Sequence, residues 1–231
     1  MLTLDQVEIR QDEFSLFADW SVAKSEMVAV IGPSGGGKST LLMTIAGFLA
    51  PVRGCVFWNG DDLAALPPGK RPITLLFQDQ NLFPHLSIAQ NLGLGLDPKL
   101  RLSAVDRQKV DAALERVGLA GMGARKPAQL SGGQQGRAAL ARALLRARPL
   151  LLLDEPFSAL GPAMKGEMLK LVQEVAQATG ATVMMVTHDP KDAMGFADRT
   201  ILVADGVAAA PVATTVLFAN PPPALAEYLG K

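Results

Sequence analysis

The chain has 231 residues, 49% hydrophobic and 19% charged, and its 22 basic residues are balanced by 22 acidic ones. That length supplies one large domain with a substantial core, and zero net charge argues against an electrostatic nucleic-acid partner. A single cysteine, Cys55, excludes an intrachain disulfide, and no apolar run reaches the roughly 18 residues that a membrane span needs. Cys55 is expected as a small buried hydrophobe. Met1–Asp5 has neither a basic region nor a long apolar stretch, so no signal peptide and a cytosolic setting are expected.

Residues 2–9 alternate and predict a strand, with further short strands over 14–31. Val28–Ile31 is a continuous apolar run, the mark of a strand buried on both faces of a parallel sheet. It leads into Gly32-Pro33-Ser34-Gly35-Gly36-Gly37-Lys38-Ser39-Thr40 and a helix predicted over Ser39–Leu49. The spacing Gly32-x4-Gly37-Lys38-Ser39 is that of a phosphate-binding loop. A triphosphate needs many N–H donors at close range, which a glycine-rich turn and a helix N-terminus supply. In that reading Lys38 reaches the β- and γ-phosphates and Ser39 ligates Mg²⁺. The alternative is an ordinary glycine-rich turn.

A strand and turn follow at Cys55–Gly60, and another strand over Ile73–Phe77 ends in Gln78. From about 79 to 148 strand signals fade. Val105–Leu119 is amphipathic, and Ser131–Arg148 predicts a second helix, so this region reads as a helical lobe inserted between two sheet-forming parts. Ser131 and Gln134 have capping-box spacing. Gly132 and Gly133 are poor first-turn residues, about 1 kcal/mol each below alanine, which makes sense if their N–H groups must face an anion. Leu150–Leu153 is a buried strand that delivers Asp154 and Glu155 at its carboxyl end. There Asp154 can hold Mg²⁺ and Glu155 can take a proton from an attacking water. A solvated strand-to-helix turn is the alternative. Met164–Val175 predicts a helix with a core-facing stripe, Thr182–Val186 a strand ending in His188, and Asp205-Gly206 a hairpin turn. Asp189-Pro190 has the form of a helix cap, so His188 alone could simply end a strand. Strands alternating with helices give an α/β fold with a mainly parallel sheet.

Taken together, Gly32–Ser39, Gln78, Leu130–Gln134, Leu150–Glu155 and Thr187-His188-Asp189 resemble, in order and over nearly the whole chain, the nucleotide-binding subunit of an ABC transporter. The resemblance implies a P-loop ATPase with a mainly parallel core sheet, N-terminal antiparallel strands and an inserted helical lobe. It implies one ABC ATPase domain over 1–231, with a nucleotide core at 1–78 and 149–231 and a helical subdomain at about 79–148. ATP and Mg²⁺ are the implied ligands. Two copies would pair head to tail, each ATP lying between one phosphate loop and the second copy's Ser131, Gly132, Gly133 and Gln134. Glu155 would be the general base, His188 the γ-phosphate sensor, and Gln78 a contact to Mg²⁺ and water. Three positions depart from the pattern. Gly161 stands where aspartate is usual, Gly136 where a long polar residue is common, and Phe14 is the only aromatic near the expected adenine-stacking position.

The stretch Gln78–Pro98, with Gly47–Leu49, Leu66–Pro72 and Pro156–Leu160, is similar to the ATPases of bacterial thiamine importers. That resemblance implies a peripheral subunit on the cytoplasmic face of the bacterial inner membrane. Its partners would be an integral-membrane permease, met by residues 79–96, and through it a periplasmic thiamine-binding protein. Another small-solute ABC importer or exporter, a soluble ABC ATPase, and a nucleotide-gated dimerisation module are the other functions open to this sequence.

Overall fold

Alternation of side chains builds the first strands. In β2 (Phe14–Val22) Leu16, Ala18, Trp20 and Val22 point inward and the residues between them outward, so the apolar Phe17 is exposed. The computed structural model describes residues 1–78, 81–158 and 160–230. In chain order these form β1 (Leu2–Gln11), β2, β3 (Met27–Ile31), α1 (Lys38–Ala46), β4 (Arg53–Trp58), β5 (Asp61–Asp62) and β6 (Ile73–Leu76). Next come α2 (Ile88–Gly93), α3 (Ala104–Arg116), α4 (Gly132–Leu145), β7 (Leu150–Asp154), α5 (Pro162–Thr179) and β8 (Thr182–Val186). The last are α6 (Pro190–Phe196), β9 (Arg199–Ala204), β10 (Val207–Ala208), β11 (Val212–Ala213), α7 (Thr214–Ala219) and α8 (Pro223–Tyr228). Among the described residues no helix is long and apolar enough to cross a membrane.

The chain divides into two units. The first holds Met1–Leu75, Pro149–Asp154 and Gly180–Lys231; the second holds Leu76–Arg148 and Glu155–Thr179. Glu155–Thr179, expected with the nucleotide core, therefore groups with the helices of 76–148.

The strands run in the order β5-β4-β1-β2-β10-β9-β3-β8-β7-β6, with β11 beside β9. β3 is parallel to both β8 and β9, and β8 is parallel to β7, whereas β1 pairs antiparallel with β2 and β4. The central strands are buried along their length, which is why they read as continuous apolar runs. Successive residues of β3 and β9 face opposite sides. Val28, Val30, Ile201 and Val203 join the core with Leu41, Leu42 and Ile45 of α1. Ile31, Leu202 and Ala204 instead meet Leu217 of α7 and Leu225 of α8. Cys55, expected buried, is half-buried on β4.

In the second unit, capping boxes start α2, α3 and α4, at Ser87/Gln90, Ser103/Asp106 and Ser131/Gln134. The α4 helix runs unbroken through the buried Gly136. In α5, Met168, Leu171 and Val172 of the expected stripe are buried, while Met164 and Val175 are half-buried.

Candidate functional site

The phosphate loop leaves the middle of the sheet and turns into α1. Two of its glycines are sterically required. A Cβ on Gly32 would lie 2.0 Å from the Val203 carbonyl oxygen, and one on Gly37, at φ +98°, would lie 2.4 Å from Cζ of Phe14. Phe14 thus packs its ring edge behind the loop and against the core. Gly36 N donates to Pro33 O at 3.2 Å, closing the turn, while Ser34 and Gly35 are exposed at its tip. Lys38 is only 7% exposed and its Nζ donates to Gly32 O (2.9 Å) and Pro33 O (2.8 Å). The ammonium is therefore already over the loop. The first turn of α1 carries no capping side chain and no acid, so its N–H groups and helix dipole suit an anion. Ser39 and Thr40 follow, both half-buried.

Strand register brings the next groups to the same edge. Asp154 is level with Val186 of β8, and so is Val30 of β3. The carboxylate of Asp154, 7% exposed, therefore ends β7 at the height where β3 enters the loop. Thr187 N donates to Val30 O at 3.1 Å, and Thr187 Oγ1 donates to Asp192 Oδ2 at 2.9 Å. Asp189 caps α6 through Lys191 N, as its sequence predicts, and leaves the His188 side chain exposed. The first unit thus gathers Gly32–Thr40, Asp154 and His188 at the carboxyl ends of parallel strands, where α/β sheets bind ligands.

Gln78, Ser131–Gln134 and Glu155 belong to the second unit. Gln78 is exposed just beyond β6. At the start of α4, Ser131 Oγ accepts from Gln134 N (3.3 Å) and Gln134 Oε1 accepts from Ser131 N (2.9 Å). A Cβ on the exposed Gly132 would meet nothing within 4 Å, so packing does not demand glycine there. Glu155 has φ +45°, an uncommon conformation for a residue with a side chain, and its carbonyl accepts from Ser158 N and Oγ. Gly161 occupies the cap position before α5, its carbonyl accepting from Lys165 N at 2.9 Å. Asp79, Gln80 and Ala159, within stretches that carry the resemblance, lie outside the described residues.

Hard oxygen donors, Ser39 hydroxyl and Asp154 carboxylate, suit Mg²⁺. Among the described residues no group of three or more His, Cys, Asp or Glu could hold a metal by itself. A Mg²⁺ here would complete its shell with phosphate and water oxygens, the usual arrangement for that ion.

Two supporting residues escape a reading of sequence. Arg71, 7% exposed, donates from Nη1 to Thr44 O (3.2 Å) and Ile45 O (2.7 Å) at the end of α1 and from Nε to Leu66 O (3.0 Å). Burial pulls its pKa below the usual arginine value, an effect partly offset by the charge of Asp62. Asn91, fully buried, accepts from Phe83 N (2.7 Å) and donates to the Phe83 and Ser87 carbonyls. Only the buried asparagine in an apolar helical run hints at the second; nothing in the sequence marks the first.

A family model described as ABC transporter matches residues 18–158. The chain belongs to the ABC transporter family, as an ATP-binding, ATP-hydrolysing subunit. It is 68% identical to the thiamine import ATP-binding protein ThiQ of Cereibacter sphaeroides over 230 residues, covering 100% of both chains. It is 56% identical to the protein of that name from Ruegeria sp. (strain TM1040), again over 100% of each. Among solved structures it is similar to the ATP-binding cassette MJ0796, a dimer in a post-hydrolysis state bound to ADP and Pi. The TM-score is 0.83 at 31% identity, over 93% of this chain and 99% of that one. The fold agrees with the one the motifs imply: a P-loop α/β sheet with antiparallel N-terminal strands.

Proposed function

We propose that this chain is the ATPase subunit of a bacterial thiamine importer, driving uptake through a membrane permease. The observation that carries this reading is the full-length 68% identity to a thiamine import ATP-binding protein. The substrate is recognised elsewhere, by the permease and a periplasmic thiamine-binding protein. The chain works as a homodimer, peripheral to the cytoplasmic face of the inner membrane, where ATP is supplied. Phe83 suits a permease contact: it is 46% exposed, held from behind by Asn91 and set edge-on to His85 at 6.0 Å.

The roles follow from the chemistry of each group. Gly32–Thr40 cradle the phosphates by main-chain N–H groups, and Lys38 moves from the Gly32 and Pro33 carbonyls to the β- and γ-phosphates. Ser39, Asp154 and Gln78 would hold Mg²⁺, which would neutralise charge developing on the phosphates. The second copy's Ser131–Gln134 caps the γ-phosphate. Glu155 accepts the proton of the attacking water and His188 orients that water against the γ-phosphate. Binding of ATP in the closed dimer more tightly than in the open one shifts the permease to its other state, and hydrolysis reverses the shift.

Uptake of labelled thiamine in cells lacking the gene, complemented with wild type or Glu155→Gln, tests this. Loss restored only by wild type is expected. Undiminished uptake in the deletion strain would remove thiamine as the cargo.

A further inference from the structure

The last helix of the first unit reaches the loop that carries His188. α8 is anchored by Leu225, 0% exposed, which joins Leu217, Leu202, Ala204 and Ile31 on one sheet face. Tyr228, its final residue, donates its hydroxyl to the main-chain oxygen of His188 at 2.5 Å. The flanking residues are fixed from the other side. Thr187 N is bound to Val30 O, and Thr187 Oγ1 accepts from Asp189 N at 3.1 Å while donating to Asp192. His188 itself projects into solvent. The peptide unit that follows its Cα is held at both ends, by Tyr228 on the His188 oxygen and by Thr187 Oγ1 on Asp189 N, which fixes the backbone that carries the imidazole.

We propose that Tyr228 is a positioning residue for His188: by holding the His188 carbonyl it fixes the place of the backbone from which the imidazole works. This rests on the reading of His188 as the γ-phosphate sensor. α8 belongs with the hydrolytic machinery on this account, although it touches no substrate.

The chain's composition makes the test clean, since it has one tyrosine and two histidines, His85 and His188. Tyr228→Phe removes only the hydroxyl and keeps the packing. Its effect is read in the full chain by steady-state ATP hydrolysis and by the imidazole NMR signals. The variant is expected to lower kcat about three- to ten-fold, the equivalent of one hydrogen bond, with KM for ATP within about two-fold of wild type. The His188 signals should move and those of His85 stay in place. Unmoved His188 signals would overturn the proposal. So would a rise in KM at unchanged kcat, which would place the effect at the phosphate loop through Ile31. His188→Ala at wild-type kcat would instead remove the sensor reading, and the proposal with it, whatever the NMR signals of Tyr228→Phe do.

Discussion

Lys38 already spans the loop that it is proposed to bridge to phosphate. Removing it deletes a charge-assisted contact while leaving the glycine cradle in place. Lys38→Ala is expected to weaken ATP binding about 10- to 100-fold, read by titration with a fluorescent nucleotide. Unchanged affinity would remove the lysine from the phosphate site. Glu155 is a different case, since its proposed work lies in the reaction and not in binding. Glu155→Gln keeps the shape and the turn to Ser158 but cannot take a proton, so kcat should fall about 10²- to 10⁴-fold with nucleotide affinity preserved. Phosphate release at the wild-type rate would dismiss it as the base. Both proposed roles are read from spacing along the chain, which a sequence displays directly. Phe14 was not legible in this way: the sequence offered adenine stacking or core packing, and the ring proves to lie against Gly37, a contact set by β2 and α1 meeting in space. Tyr228 and Arg71 share that limit, since each acts on a backbone group distant in sequence.

Helix ends carry much of what sequence reading could and could not see. The Ser131/Gln134 box was visible as a pattern, and the same pattern at Ser87/Gln90 starts α2, which the fading strand signals left within an undivided helical lobe. α1 ends on Gly47, at φ +87°, which a sequence can announce, but the guanidinium of Arg71, arriving from a loop at the same helix end, has no such signature. Deleting it leaves Thr44 O with Gly47 N alone, takes the guanidinium from Ile45 O, and removes a cation from the negative end of the helix dipole. Arg71→Ala should cost about 2–4 kcal/mol in a denaturant titration. At the other extreme, Gly161 caps α5 with no side chain in a space that would take one. Gly161→Asp should therefore raise thermal stability slightly, by about 0.5 kcal/mol, and keep or raise the coupling of ATPase to transport. A large loss of transport would show that the glycine is an adaptation. Asp106 in the α3 box is held below its usual pKa, first by the Ser103 hydroxyl and then by its N–H. The folded state thus favours the carboxylate: its contribution is present above about pH 4 and disappears as pH falls through the depressed value. Ser103→Ala should flatten that acid limb in urea melts followed across pH.

For the molecule as a whole, the order of strands brings Gly32–Thr40, Asp154 and Thr187–His188 to one edge of the first unit. β3, β8 and β7 are neighbours, so their carboxyl ends lie along one edge although more than a hundred residues separate β3 from the other two in the chain. That parallel arrangement was readable from the apolar runs; the grouping of Glu155–Thr179 with the helical unit was not, since it depends on packing and not on pattern. A proposed dimer closing on ATP gives a further expectation. Glu155→Gln with ATP and Mg²⁺ should elute from a sizing column as a dimer, and without nucleotide as a monomer; a single species under both conditions would count against ATP-driven pairing. The sheet also begins in an unusual way. Its first strand, β5, is two residues long, and both are exposed aspartates. An open sheet edge invites another chain to add a strand, and a short acidic edge discourages it. In the proposed cycle, where a second copy is met and released at each turn, such an edge keeps the backbone from joining a neighbour in a continuous sheet from which it could not let go.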